Sequence, residues 1–172
     1  MCGVIGVLRR RSSRPEPDGT ALLAALDRAV SDLASGVAGL EAATAEVTAV
    51  DAALRGASGV ALLVGDQRLA AALADRVAEL EAALTTLEAA LDAGAADLAR
   101  QPLEQVNAAL IACKDAVWAV GRDRLRTAAA VAALMGDATG RPAVEAYLSV
   151  QVALSALDRL EVRGRDSAGA CP

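Results

Sequence analysis

The sequence predicts a mainly α protein built as a bundle of long antiparallel helices, and three observations favour this fold class. Hydrophobic residues make up 55% of the 172 residues but aromatic residues only 1%, which disfavours the aromatic and β-branched strands of a sandwich or barrel. Much of the apolar content is alanine and leucine, which favour helices. Apolar residues also recur at alternating steps of three and four, the spacing of a heptad seam.

The N-terminal tract departs from this helical pattern. Residues 1–10 begin with a short apolar run that is β-branched and interrupted by glycine, so we expect a buried first strand there. Residues 11–19 hold two prolines and several charged side chains, which predicts a linker. Its arginines also fit a contact with polyphosphate or a membrane, but a solvated linker is the simpler interpretation for an acidic chain.

Three long helices are predicted next, at about residues 20–55, 66–100 and 102–137, because a heptad seam continues through each of them. Short connections between long helices predict antiparallel hairpins. A fourth helix is expected from Ala143 to about residue 160. One of its faces carries Tyr147, Val150, Leu154 and Leu157.

Several single residues add detail to the prediction of these helices. Asp66 is a suitable N-cap for the second long helix. Thr44 and Asp51 are polar residues that weaken the first seam. Cys113 falls on the third seam, so we predict a small buried apolar side chain, and Trp118 lies one position off that seam, at its border.

Composition excludes several classes of function. The chain has no histidine, which rules out Ser-His-Asp triads, Cys-His pairs and histidine-bound zinc. Its three widely spaced cysteines predict neither a disulfide framework nor a cysteine-rich metal site. The net charge of −5 argues against nucleic acid as a partner. No apolar run approaches the ~20 residues of a membrane span, so we expect a cytoplasmic protein without membrane contact, metal or cofactor.

Residues that suggest a catalytic function are found only at the two ends of the sequence. Cys2 follows Met1, and removal of that methionine would leave Cys2 with a free α-amino group. An α-amino group has a pKa of about 7.7–8.0 and is a suitable base for the cysteine thiol. One residue would then supply both nucleophile and base, as in N-terminal nucleophile hydrolases.

Two sequence strings carry a family resemblance. The first, Met-Cys-Gly-Val-Ile-Gly-Val at residues 1–7, resembles the start of class II (N-terminal nucleophile) glutamine amidotransferases. The second, Arg-Leu-Glu-Val-Arg-Gly-Arg-Asp-Ser-Ala-Gly at residues 159–169, resembles a segment of glutamine–fructose-6-phosphate aminotransferases, the glucosamine-6-phosphate synthases. The resemblance identifies the chain as an N-terminal fragment of such an enzyme.

The resemblance implies a fold and a set of site residues. Residues 20–140 would be a helical insertion after the first strand of an incomplete αββα glutaminase domain, which resumes at residues 143–172. Cys2 would attack the amide of glutamine and release ammonia through a thioester. The supporting loop would contain Arg163, Gly164, Asp166 and Ser167.

The implied partners follow from that family. Glutamine would be the nitrogen donor, and the ammonia would pass to fructose 6-phosphate in a sugar-isomerase (SIS) domain that these residues do not include. Because the later glutaminase strands are also missing, we expect no glutaminase activity from this chain alone.

Two alternatives stay open. One is a different class II amidotransferase, which would transfer ammonia to phosphoribosyl pyrophosphate or aspartate. The other is a non-catalytic helical-bundle protein that serves interaction or scaffolding, whose exposed heptad edges would support a homo-oligomer.

Overall fold

The computed structural model describes residues 6–8, 12–94 and 102–161, with the side chains of the last helix described as far as residue 158. Within these ranges the chain forms seven α-helices and no β-strand, which confirms the prediction of a mainly α protein. The helices are α1 (Gly19–Leu33), α2 (Leu40–Leu54), α3 (Gly56–Gly65), α4 (Gln67–Asp92), α5 (Leu103–Trp118), α6 (Arg126–Met135) and α7 (Arg141–Glu161).

The long helix predicted at 20–55 is divided into α1 and α2. A short 3₁₀ turn, Gly36–Gly39, separates the two helices. Gly36 has a φ of 66°, which disfavours residues with a side chain. A Cβ on Gly39 would overlap the carbonyl oxygen of Asp32. The two glycines therefore permit a tight reversal, and α1 and α2 form an antiparallel hairpin.

Four helices form the larger part of the core. Helix α1 packs against α2 and α4, and α5 packs against the same two helices from the other side. The chain bends by 91° between α2 and α3. Helix α3 then packs with α6 and α7, and one continuous apolar core joins the two groups.

The predicted third long helix is continuous across α5 and α6. A π-helical segment, Ala119–Leu125, joins the two and keeps helical backbone angles at its boundaries. Because a π-helix is wider than an α-helix, this segment shifts the phase of the buried side chains. Val120 stays in the core, and Arg124 reaches α2.

Of two predictions about single features of the helices, one is confirmed in full and one in part. A side-chain oxygen of Asp66 accepts a hydrogen bond of 2.9 Å from the backbone N–H of Leu69, so Asp66 is the N-cap of α4. The predicted seam of α4 is buried over its first part, at Leu69, Leu73, Val77, Leu80 and Leu84. Its next two positions, Leu87 and Leu91, are only partly buried, and Leu98 lies outside the described residues.

The apolar face predicted for α7 is only partly packed. Tyr147 packs against the core and Leu157 is partly buried, but Val150 and Leu154 are exposed, and the fully buried residues of α7 are Val144 and Leu148. An apolar helix that carries leucine and valine on several sides has more than one possible packing face. The positions of α3 and α6 decide which of them is used.

The predicted first strand is not formed where the structure describes it. Residues 1–5 lie outside the described ranges, and Gly6–Leu8 have no regular secondary structure. Leu8 is 101% exposed, so it does not lie in a core. A strand needs a neighbour that completes its hydrogen bonds, and the described ranges contain no other strand. Insertion into an αββα domain is therefore unsupported.

No single helix in the described ranges has both the length and the apolar character needed to cross a membrane. One bent pair of helical segments, Gly36–Leu54 with Gly56–Gly65, meets the length and composition criteria together.

Candidate interaction groove

The most buried charged group in the described residues is Asp51 of α2, which is 4% exposed. Arg55, one turn later, donates to one carboxylate oxygen at 3.0 and 2.6 Å. The Nε of Arg124, in the π-helical segment, donates to the other oxygen at 2.8 Å. A polar position of the first predicted seam, Asp51, therefore forms an ion pair with an arginine of the helix that continues from α5.

These two arginines set the protonation of Asp51. Burial by itself raises the pKa of this carboxyl group, but the hydrogen bonds and charges of Arg55 and Arg124 outweigh burial. The pKa is therefore lowered from its ordinary value, and Asp51 is ionised at neutral pH. A carboxylate held in this way is a structural charge, because both of its oxygens are already occupied.

A second polar cluster anchors the predicted linker. A guanidinium nitrogen of Arg141, at the start of α7, donates to the backbone oxygens of Ser12 and Arg14 at 3.2 and 3.1 Å and to the hydroxyl of Ser58 at 2.9 Å. Ser58 in turn donates to the backbone oxygen of Arg14 at 2.8 Å. This cluster holds residues 12–14 against the start of α3.

The predicted burial of Cys113 is confirmed. Its side chain is 0% exposed, and burial raises the pKa of the thiol while a hydrogen bond with Thr44 opposes that effect. A buried thiol with a raised pKa is a poor nucleophile. Cys113 therefore contributes to packing, and Thr44, the other weak position of the first seam, is its neighbour.

In contrast to these satisfied interior groups, an open groove of about 650 Å³ lies between α4 and α5. Its volume falls within the range of about 300–1,000 Å³ that is common for ligand sites. The lining residues are Glu81, Leu84 and Thr85 of α4 and Lys114, Asp115, Val117 and Trp118 of α5.

The outer face of α5 continues the apolar surface of the groove. Trp118 is 54% exposed and Ile111, one heptad earlier, is 59% exposed. Leu103, at the first turn, is also exposed. We call these three side chains the outer stripe of α5. Each of the first two directly follows a buried seam residue, which places Trp118 at the border of the packed interface as predicted.

The residues predicted to form a glutaminase site lie outside the described ranges. The structure therefore does not test this predicted site, and the roles of these residues stay predictions. They are Cys2, Arg163, Gly164, Asp166 and Ser167. Within the described residues no group of three or more Cys, Asp or Glu side chains is arranged to hold a metal ion.

Comparison with known proteins gives no match: no family model fits the sequence, and no curated protein or solved structure is significantly similar to the chain. The assignment to the class II amidotransferases is therefore wrong. The described part of the chain is helical throughout its regular structure, whereas an αββα glutaminase requires β-sheets. Glutamine and a sugar phosphate were expected as ligands only because of this resemblance, so that expectation no longer has support.

The groove was not predicted from the sequence, although the sequence contains a pattern that indicates it. Ile111 and Trp118 are large apolar residues seven positions apart, and they stand next to the seam instead of on it. A second heptad-spaced apolar row beside a complete seam indicates a surface that one bundle does not bury.

Proposed function

We propose that this chain is a non-catalytic helical interaction protein and that its binding surface is the groove between α4 and α5 together with the outer stripe of α5. The observation that carries the proposal is the exposure of Trp118 and Ile111 beside an open groove. Tryptophan is strongly enriched among residues that dominate binding energy at protein interfaces. The single tryptophan of this chain is half exposed at the groove and does not lie in the core.

The interior of the bundle supports the same proposal. Among the described residues, every buried side-chain nitrogen or oxygen has a hydrogen-bond partner. The buried groups with a shifted pKa, Asp51 and Cys113, are occupied by structural contacts. These groups therefore give no unused acid, base or nucleophile for catalysis, whereas the outer stripe of α5 is apolar surface that a partner would bury.

Site-specific photo-crosslinking in cells tests this proposal. A photoreactive phenylalanine derivative at position 111 is expected to give a discrete crosslinked species, which mass spectrometry identifies as a partner or a second copy. The same group at Thr48, an exposed residue of α2, is the control position and is expected to give none. Trp118→Lys is expected to remove the crosslink, because it places a charge where an apolar contact forms.

Two results would overturn the proposal. One is the absence of any crosslink from position 111 when the protein is present at normal levels and folded. The other is an identical set of crosslinked species from positions 111 and 48, which indicates random encounter.

A further inference from the structure

The groove between α4 and α5 carries two carboxylates that have no ion-pair partner among the residues that the structure describes. Glu81 and Asp115 line the groove, and neither forms an ion pair within the part of the chain that the structure describes. Lys114, the one cation among the described lining residues, lies 2.7 Å from a carboxylate oxygen of Glu88 and is neutralised by it. A partner with an exposed cation is therefore favoured over an anionic one.

The indole ring of Trp118 favours one type of partner cation over another. Half of Trp118 is exposed at the groove, and an indole ring attracts a cation placed over its face. Arginine fits this position better than lysine, because its planar guanidinium stacks on an aromatic ring and binds a carboxylate at the same time. Asp115 is three residues before Trp118 on α5, so both groups lie on the same side of that helix.

The apolar surface beside the groove favours an apolar partner. Leu84 and Val117 at the floor are already almost completely buried, so the exposed apolar surface is that of Trp118 and Ile111. Ile111 extends the apolar surface along α5 in the direction of the N-terminus of that helix. A single arginine side chain would leave this surface uncovered, whereas a peptide segment with aliphatic side chains would cover it.

We propose that the groove binds an apolar peptide segment that carries an arginine. The guanidinium would stack on Trp118 and pair with Asp115 or Glu81, and neighbouring aliphatic side chains would contact Ile111. This inference rests on the proposed function, because it names the partner chemistry of the same surface. Phosphate groups and acidic peptides are disfavoured by the same two carboxylates.

The fluorescence of Trp118 tests the inference directly, since this residue is the only tryptophan in the chain. The probe is a synthetic amphipathic peptide of twelve residues that lacks tryptophan and carries leucines at helical spacing and one central arginine. Its matched control replaces the arginine by citrulline, which keeps the shape of the side chain and removes the charge. We expect saturable binding of the arginine peptide and about tenfold weaker binding of the citrulline peptide.

Two variants locate the charge contact. Asp115→Asn is expected to weaken binding of the arginine peptide about fivefold at low salt and to leave the citrulline peptide unchanged. The matched control is Glu41→Gln, at an exposed carboxylate of α2 outside the groove. This control is expected to leave both affinities unchanged.

Each contrary result overturns a different statement. Equal affinity for the two peptides overturns the role of the arginine, while apolar binding and the proposed function stand. Absence of binding by either peptide, with crosslinking from position 111 retained, overturns the partner chemistry alone. A change in Trp118 fluorescence that depends only on protein concentration and is insensitive to Asp115→Asn identifies a second copy as the occupant and also overturns the inference. Loss of both peptide binding and crosslinking overturns the proposed function itself.

Discussion

The two faces of α5 differ in what they contribute to the molecule. The inner face buries Val106, Leu110, Cys113 and Val117 against α2 and α4. The outer face exposes Ile111 and Trp118, each only one position after a buried residue. Neighbouring side chains on one helix therefore differ in environment: the inner face is packed in the bundle, and the outer face, which we propose as a binding surface, is exposed to solvent.

The largest expected effect is on the inner face. Leu110→Ala removes a buried side chain and leaves a cavity, so we expect the free energy of unfolding to fall by about 3 kcal/mol. Urea unfolding followed by circular dichroism at 222 nm measures this change. The matched control is Ile111→Ala, which is expected to cost less than about 1 kcal/mol because most of that side chain is exposed. Equal losses at the two positions would contradict the division between the faces.

A somewhat smaller effect is expected at the ion pair that joins α2 to the helix continuing from α5. Asp51→Asn removes the charge between Arg55 and Arg124, and we expect a loss of about 2–3 kcal/mol at pH 7. Because the native pKa of Asp51 is lowered, the carboxylate stabilises the native state fully above its unfolded pKa of about 3.9. That contribution is lost as the pH falls through the lowered native pKa.

Urea unfolding of the wild type and of Asp51→Asn at pH 7 and at pH 2.5 tests whether the stability contributed by Asp51 decreases as the pH falls. The stability difference between the two proteins is expected to shrink at the lower pH, which lies below the unfolded pKa of about 3.9, because the unfolded chain then binds a proton that the native carboxylate resists. Asp75→Asn, at an exposed position of α4, is the control and is expected to show no comparable difference at either pH. A difference of the same size at both pH values would show that the charge of Asp51 is not what stabilises the bundle.

The smallest expected effect concerns the glutaminase prediction. We expect the purified chain, with Met1 removed, to release no ammonia from glutamine, so that Cys2→Ala changes nothing. Stabilisation of the oxyanion in the transition state requires preorganised donors, and the described residues provide no site of that kind around a nucleophile. A coupled assay for ammonia measures this. Turnover that depends on Cys2 would show that the chain is a self-sufficient catalyst.

The sequence predicts the helical seams well, because a heptad pattern extends over many residues and each buried leucine or valine agrees with the next. Leu73, Leu80 and Cys113 are all buried as their spacing predicts. The break at Gly36–Gly39 is harder to predict. Each glycine costs a helix only about 1 kcal/mol relative to alanine, so tertiary packing decides between a continuous helix and a turn.

Other features depend on neighbours that periodicity does not identify. The pairing of Asp51 with Arg124 joins residues that are 73 positions apart, and each residue alone looks like a defect in its own seam. The groove likewise depends on which helix stands beside α5. The family resemblance failed for a related reason: two short strings at the ends of the chain constrain no packing, whereas the seams between them do.

The most direct test of the account is the stability of Trp118→Lys, measured by urea unfolding beside Leu110→Ala. The aliphatic part of a lysine side chain retains contacts with the neighbouring surface while its charge stays in water. We therefore expect an unfolding free energy within about 1 kcal/mol of the wild type, together with loss of crosslinking from position 111. A loss of about 3 kcal/mol, equal to that of Leu110→Ala, would show that Trp118 belongs to the core and that the outer face of α5 is not a surface reserved for a partner.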